Sequence, residues 1–250
     1  MTLALETRGL EKKFGGLAVT RDLSLRIEGG ARHALIGPNG AGKTTVVNLL
    51  TGVIRPDAGR ILLEGNDISN LPVYRRVRGG LSRTFQINHL YADLTPLETI
   101  GLAASERLGR GGDWWRRMGT RDDVNTEIAD NLERFGLLDV MNEPTATLPY
   151  GKQRLLEIAV AVASRPRVLL LDEPAAGVPE SGRRDILAAI NALSRDVTVL
   201  LIEHDMDLVF SFADRISVLV NGALLIDGPP EEVARDERVK AVYLGEAADV

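Results

Sequence analysis

The chain has 250 residues, a length that predicts one domain or one domain with a subdomain. Its apolar content of 44% and charged content of 26% are ordinary for a soluble globular protein. A net charge of −5 argues against nucleic acid as the main partner, and the lack of cysteine excludes disulfides and thiolate metal sites. The first residues place no basic segment before an apolar run, and no apolar stretch is long enough to cross a bilayer, so we expect neither a signal peptide nor a membrane span.

The first ninety residues predict a strand-rich region with one strong helix. Residues 22–27 alternate polar and apolar side chains, as in a half-buried strand. Residues 32–36 and 60–64 are short and apolar, and they predict two further strands. A helix is predicted over 46–50.

The segment between the strand at 32–36 and this helix matches the phosphate-binding pattern G-x-x-x-x-G-K-[ST]. Its glycines let successive N–H groups turn towards phosphate oxygens, and the helix N-terminus favours the same anion. Its lysine adds a charge at the β- and γ-phosphates, and its threonine hydroxyl is a ligand for Mg²⁺. The alternative, a glycine-rich surface turn, explains neither the strand before it nor the helix after it. We assign nucleotide binding to Gly37, Pro38, Asn39, Gly40, Ala41, Gly42, Lys43, Thr44 and Thr45.

Helical spacing replaces strand-like runs in the middle of the chain. Thr95, Pro96 and Glu98 predict a helix start, with threonine as the N-cap, proline at N1 and glutamate at N3. Residues 109–122 predict a loop or a helix junction, and residues 123–136 predict a further helix. We interpret this region as a helical subdomain inserted into an α/β core.

The last hundred residues return to alternating helices and buried strands. Asn221-Gly222 between two apolar runs is a strong hairpin signal. The predicted elements are a helix over 151–164, a strand over 168–171, a helix over 185–193, a strand over 197–202, the hairpin over 216–226 and helical pieces over 230–244.

Two acids and a histidine follow the buried strands of this last region. Asp172 and Glu173 end the strand at 168–171, and carboxylates at such a strand end lie at the usual ligand crevice of an open α/β sheet. Asp172 is a candidate to hold Mg²⁺, and Glu173 to polarise the water that attacks the γ-phosphate. His204 follows the next strand, where it reaches the γ-phosphate or, alternatively, acts as a structural cap.

Two further candidates are weaker when taken alone. Gln86 lies between the predicted core and the helical insert, where it either binds Mg²⁺ or water or is simply solvated. Phe14 precedes a glycine pair, where it either stacks on adenine or belongs to the core.

Taken together, these residues resemble the ATP-binding subunit of ABC transporters over nearly the full chain. The matching motifs, in order, are Phe14, the loop 37–44, Gln86, the signature 148–152, the acidic strand 168–173, the Asp-loop region after Pro174, and His204. The local sequences around Tyr150-Gly151 and at 172–177, 202–206 and 243–246 resemble those of the ATP-binding subunits of branched-chain amino acid importers. Importers of urea and short-chain amides use similar subunits.

This resemblance implies a fold, an activity and a set of partners. The fold is a P-loop α/β ATPase core, 1–86 and 165–250, with an antiparallel β subdomain and a helical subdomain over about 87–164. The resemblance assigns Glu173 as the catalytic base and His204 as the residue that switches with the γ-phosphate, with Lys43 and Gln86 as further catalytic residues. It also implies that the subunit binds ATP and Mg²⁺. Two subunits bind two ATP head to tail, with Tyr150 and Gly151 of each signature closing the other site. The partners are transmembrane permease subunits, a second ATP-binding subunit and, indirectly, a solute-binding protein, at the cytoplasmic side of the membrane.

The chain departs from the family pattern at the signature and the Asp-loop. Pro149 stands where the signature normally has serine, and Lys152 where it has glutamine. Proline offers the partner's γ-phosphate neither a hydroxyl nor an N–H group, whereas the N–H groups of Tyr150 and Gly151 remain and Lys152 adds charge. Pro179 stands where the Asp-loop normally ends in aspartate, which puts communication between the two sites in doubt.

Three other classes of protein compete with the importer. A soluble ABC ATPase of DNA repair or translation would carry a long coiled-coil insert or two fused ATP-binding halves, which 250 residues do not hold. A non-hydrolysing nucleotide-binding regulator conflicts with Glu173 and His204. A P-loop kinase would need a lid over an acceptor substrate, and the sequence contains no candidate for one.

Overall fold

The structure, a computed structural model, describes residues 2–84, 90–108 and 122–246. The described helices are α1 (Lys43–Thr51), α2 (Val73–Arg78), α3 (Pro96–Arg107), α4 (Asp122–Arg134), α5 (Tyr150–Ala163), α6 (Glu180–Asn191), α7 (Met206–Phe212), α8 (Pro230–Arg235) and α9 (Glu237–Glu246). The described strands are β1 (Leu3–Phe14), β2 (Leu17–Leu23), β3 (Arg26–Glu28), β4 (Arg32–Ile36), β5 (Ala58–Leu63), β6 (Asn66–Asp67), β7 (Leu81–Arg83), β8 (Val168–Asp172), β9 (Thr198–Ile202), β10 (Arg215–Val220) and β11 (Ala223–Gly228).

The described strands form two sheets, and the expected combination of an α/β core with an antiparallel β part is confirmed. In one sheet, the antiparallel order is β2-β1-β5-β6, with β3 also paired to β1. The other has the order β11-β10-β4-β9-β8-β7, in which β10, β4, β9 and β8 run parallel. The parallel strands β4, β8 and β9 are buried along their whole length, which explains the nearly continuous apolar runs of β8 and β9; β4 also buries Arg32 and His33.

Contacts divide the chain into two compact units. The first comprises Met1–Leu81, Arg167–Glu173 and Ser194–Val250, and the second Ser82–Pro166 and Pro174–Leu193. The core of the first unit packs apolar side chains of β1, β4, β5 and α1 together; its members include Leu5, Leu10, Leu35, Val47, Leu50 and Ile61. The insert boundaries expected from the sequence stay a prediction, since 85–89 and 109–121 lie outside the described ranges.

The helical start predicted at Thr95 is confirmed in detail. The Thr95 hydroxyl accepts a hydrogen bond from the Glu98 backbone N–H at 3.2 Å, and the Glu98 carboxylate accepts one from the Thr95 N–H at 2.9 Å. This reciprocal capping box, with Pro96 at N1, satisfies two N–H groups that have no partner within the helix. Along the described residues, no helix combines the length and apolar character needed to span a membrane.

Two expectations about the first ninety residues are wrong. The single strand predicted over 22–27 is interrupted at residues 24–25, where β2 ends and the chain changes its pairing on β1. Leu23 pairs with Leu10, whereas Ile27 pairs with Leu5, so β2 and β3 are separate strands. The region also contains a second helix, α2, where only one was expected.

Candidate functional site

Three parallel strands end together at one edge of the sheet. Asp172, the last residue of β8, pairs with Ile202, the last residue of β9, and Ile202 pairs with Leu35 of β4. Residues 37–44, which we call the phosphate loop, therefore begin beside the segments that carry Glu173 and His204. This edge is the usual ligand crevice of a parallel sheet, and it collects most of the site residues proposed from the sequence within the first unit.

The phosphate loop curls around the lysine side chain. The Lys43 ammonium donates to the carbonyl oxygens of Gly37 at 2.5 Å and Pro38 at 3.0 Å. Gly42 is the N-cap of α1 with φ 103°, and no side chain caps this helix start. The N-cap residue therefore places no side-chain oxygen on the first turn of α1, which favours an anion at this helix N-terminus. Thr44 is exposed there, and Thr45 is half-buried.

Close packing around the loop explains two of its glycines. A Cβ atom at Gly37 would collide with the carbonyl oxygen of Leu219 in β10, and one at Gly42 would lie 2.9 Å from that of Val19 in β2. Gly222, in the β10–β11 turn, donates its N–H to the Ala41 carbonyl at 2.9 Å. The hairpin predicted at Asn221-Gly222 thus also supports the phosphate loop, a role that the sequence did not indicate.

Glu173 is held in an unusual backbone conformation. Its φ is 47°, in the left-handed region that non-glycine residues rarely adopt, and its N–H donates to the Ile202 carbonyl at 2.9 Å. Backbone strain of this kind concentrates at functional sites. The carboxylate is a quarter exposed, and its Oε1 lies 3.6 Å from Nδ1 of His204, whose side chain is mostly exposed. Asp172, just before it, is 5% exposed.

Sequence reasoning missed a second glutamate at this edge. Glu203 is buried, and its Oε2 accepts a hydrogen bond from the His204 backbone N–H at 3.1 Å while lying 3.7 Å from His204 Nδ1. Among the described residues, its Oε1 has no hydrogen-bond partner. Burial raises the pKa of this carboxyl, partly offset by its hydrogen bond from His204. An acid inside an otherwise apolar strand end was the available signal.

Phe14 is on the surface rather than in the core. Half of the residue is exposed, and the Lys12 ammonium lies 5.5 Å from the ring centroid. Phe14 pairs with Leu17 across the turn that joins β1 to β2, and β2 continues to Val19, beside the phosphate loop. The core alternative is therefore wrong, and the ring remains available for stacking.

The signature segment lies at the start of α5 in the second unit. Pro149 is its N-cap, no side chain caps the helix, and Tyr150 and Gly151 form its first turn. The Lys152 ammonium is bonded within the same unit, to the Gly136 carbonyl and to Asp139 at 3.0 Å. Gln86 lies outside the described residues.

Comparison with known proteins identifies the family. A family model described as ABC transporter matches residues 20–176, and one described as branched-chain amino acid ATP-binding cassette transporter matches residues 225–249. The high-affinity branched-chain amino acid transport ATP-binding protein BraF of Pseudomonas aeruginosa is 42% identical over 97% of this chain and 98% of its own length. LivG of Escherichia coli, which has the same description, is 40% identical with the same coverage.

Solved structures agree with the sequence comparison. A nucleotide-free ATP-binding cassette from an ABC transporter superposes with a TM-score of 0.83 at 27% identity, covering 97% of this chain and 99% of its own. The ADP conformation of an ATP-binding cassette of an ABC transporter gives 0.84 at 27% identity, covering 98% and 99%. With the phosphate loop and the acidic strand at one sheet edge, these relatives place the chain in the ABC transporter family, as one of its ATP-binding, ATP-hydrolysing subunits.

Proposed function

We propose that this chain is the ATP-hydrolysing motor of an importer for branched-chain amino acids. The observation that carries the motor function is the meeting of the phosphate loop, Glu173 and His204 at the ends of three adjacent parallel strands. The substrate class is supported by the descriptions of BraF and LivG and by the match at residues 225–249. These descriptions favour branched-chain amino acids over urea or short-chain amides.

The residues at the sheet edge divide the reaction between them. Lys43 and the N–H groups of the loop bind the β- and γ-phosphates. Glu173 accepts the proton of the attacking water, a contribution of about 10²–10⁴-fold in rate, and His204 contacts the γ-phosphate. Gln86 completes this set in our proposal, and the Phe14 ring stacks on the adenine.

The site also fits Mg²⁺. The exposed Thr44 hydroxyl and the buried Asp172 carboxylate are hard oxygen ligands of the type this ion prefers, and we assign Gln86 as a third. When bound, the ion neutralises charge on the β- and γ-phosphates.

The assembly we propose contains two ATP-binding subunits. Tyr150 and Gly151 at the start of α5 present uncapped N–H groups to the nucleotide of the partner subunit. Since Lys152 is bonded to Asp139, we do not expect its charge to reach that nucleotide. Pro149 offers no hydroxyl either, so binding in trans depends on the backbone. ATP favours the closed dimer and ADP the open one, and the second unit transmits this change to permease subunits at the cytoplasmic face of the membrane.

Glu173→Gln tests the chemical step. The variant keeps the shape of the side chain but cannot accept a proton, so we expect ATP binding to persist, turnover to fall at least about 100-fold and an ATP-bound dimer to accumulate. An ATP titration, a steady-state ATPase assay and size-exclusion chromatography with ATP measure these three effects in turn. Glu231→Gln, the same change at an exposed position of α8, serves as the control. Hydrolysis by Glu173→Gln at near the wild-type rate would show that another group is the base.

Affinity purification from detergent-solubilised native membranes tests the importer assignment. We expect two polytopic membrane proteins and a second ATP-binding chain to co-purify. Uptake of radiolabelled leucine by the reconstituted complex, with urea as the competing substrate, then tests the solute. Recovery of the chain alone from the soluble fraction would overturn the importer proposal and favour a soluble ABC ATPase.

A further inference from the structure

The Tyr150 side chain links two segments of the second unit that are 26 residues apart in sequence. Its hydroxyl accepts a hydrogen bond from Arg154 Nη2 at 2.6 Å and donates a longer one to the Ala176 carbonyl at 3.4 Å. Its ring packs against Gly177, where an added Cβ would lie 3.4 Å from the ring edge. The phenol therefore connects the first turn of the signature helix to the segment that follows the acidic strand, residues 174–179.

The arginine behind this phenol is itself fixed. Arg154 is 6% exposed, and its Nη1 donates to the carboxylate of Glu157 at 2.7 Å, one turn further along α5. The guanidinium lies 5.0 Å from the centre of the Tyr150 ring. A buried ion pair of this geometry holds its members in one rotamer, so Arg154 offers the Tyr150 hydroxyl a donor in a fixed position.

The segment that receives the phenol is held at its two ends, because Ala175 and Val178 are buried and Arg183 Nε donates to the Val178 carbonyl at 2.9 Å, while the part between them is more open. Gly177 is exposed and adopts φ 73°, a left-handed conformation that glycine tolerates without strain. The Val178 N–H donates to the Ala175 carbonyl at 3.2 Å, which closes a single turn, and α6 begins two residues later behind Pro179. Val178 already lies near the start of α5, where a Cβ at Gly151 would be 3.7 Å from its Cγ1, and the phenol adds a second contact to α5 at the exposed part of the turn, Ala176 and Gly177.

We propose that Tyr150 is a positioning residue that makes the signature start and residues 174–179 move as one body. The proposal rests on the proposed function, in which the signature meets the nucleotide of the partner subunit. The phenol touches no reacting atom in this proposal; it orients the Asp-loop segment through Ala176 while the backbone of Tyr150 and Gly151 faces the phosphate. It also supplies a connection within one subunit where Pro179 has replaced the usual aspartate.

Tyr150→Phe isolates the hydroxyl, because the ring that packs on Gly177 is kept. We expect kcat for ATP to fall about tenfold, with the Kd for a fluorescent ATP analogue on the isolated subunit changed by less than about twofold. Amide hydrogen exchange in 175–178 should rise at least about tenfold, while exchange in α1 stays at the wild-type level. Tyr74→Phe makes the same change on an exposed tyrosine of α2 and should alter none of these quantities.

Two outcomes would overturn the proposal. One is a kcat within about twofold of wild type together with unchanged amide exchange in 175–178, since the hydroxyl would then position nothing. The other is faster amide exchange throughout the chain together with weaker nucleotide binding, which would mean a general loss of stability. Hydrogen exchange tests the contact between the Tyr150 hydroxyl and Ala176 in the isolated subunit, so it needs no partner subunit. A failure of the importer proposal would appear instead in the wild-type protein, as absent turnover or absent membrane partners.

Discussion

Arg76 makes a stability prediction that its residue type alone would not suggest. It is 1% exposed in α2, and its guanidinium donates to four backbone carbonyls. Two of these belong to the last turn of α1, at Leu49 and Leu50, both at 2.7 Å. The others are Leu71 at 2.9 Å and Ser69 at 2.8 Å. Arg76 thus caps the C-terminus of α1, the helix whose N-terminus we propose as the phosphate site.

Arg76→Met keeps most of the aliphatic volume and removes every donor. Four hydrogen bonds at about 1 kcal/mol each, with about 1 kcal/mol for a positive charge at a helix C-terminus, give about 5 kcal/mol. Burial lowers the pKa of Arg76 to about 10, so the group is charged at neutral pH and carries a desolvation cost that methionine avoids. We expect a net loss of about 3 kcal/mol, which lowers Tm by about 6–12 °C for a chain of this size.

Circular dichroism melts measure this loss, and hydrogen exchange in residues 46–51 locates it at α1. Arg75→Met is the matched control, because Arg75 is the exposed neighbour on the same helix and its replacement should change stability by less than about 0.5 kcal/mol. Arg76→Lys should fall between the two, since an ammonium has three donors for four carbonyls. Equal melting temperatures for Arg76→Met and Arg75→Met would refute the capping argument.

Two further predictions concern the sheet edge. Lys43→Ala removes the positive charge that we propose faces the phosphates, together with the two hydrogen bonds that hold the loop, so ATP affinity should fall at least about tenfold in a titration. Lys240→Ala, at an exposed position, is the control. Unchanged affinity would contradict the phosphate-loop assignment. Glu203 has a pKa raised by burial, so its folded pKa lies above its unfolded one and the wild type loses stability as pH rises through the folded value. The glutamine of Glu203→Gln does not titrate. In urea unfolding, the free energy of unfolding of the variant minus that of the wild type should therefore be larger at about pH 8 than at about pH 4. The same value at both pH values would contradict this.

Elements governed by local chemistry could be predicted from the sequence. The capping box at Thr95 depends on three neighbouring residues, and the β10–β11 turn on Asn221-Gly222, whose φ values of 49° and 80° fit the residues found there. The strand β4 was predicted with the bounds observed, Arg32–Ile36, because it is buried throughout. Site residues that follow such strands could be placed for the same reason.

Elements governed by distant partners could not be predicted. The strand β1 is 12 residues long, but its register on β2 and β5 shifts near Glu11, and the shifts break the alternation that would reveal a strand. The helix α2 has three arginines and buries one of them, against the usual preference of arginine for the surface. The contact between Tyr150 and Ala176 depends on how α5 and the turn before α6 pack, which no local pattern encodes.

The two proline departures have the same local result. Pro149 and Pro179 are each the N-cap of a helix, with φ of −55° and −56° and extended ψ of 144° and 155°. A proline ring fixes the direction from which the chain approaches each helix, but it offers the first turn no side-chain acceptor. In the proposed function, proline in place of the signature serine removes one side-chain donor to phosphate, while the first turn of α5 keeps N–H groups that no N-cap side chain occupies. For this reason, we expect the departures to weaken contacts made by side chains and to preserve those made by the backbone.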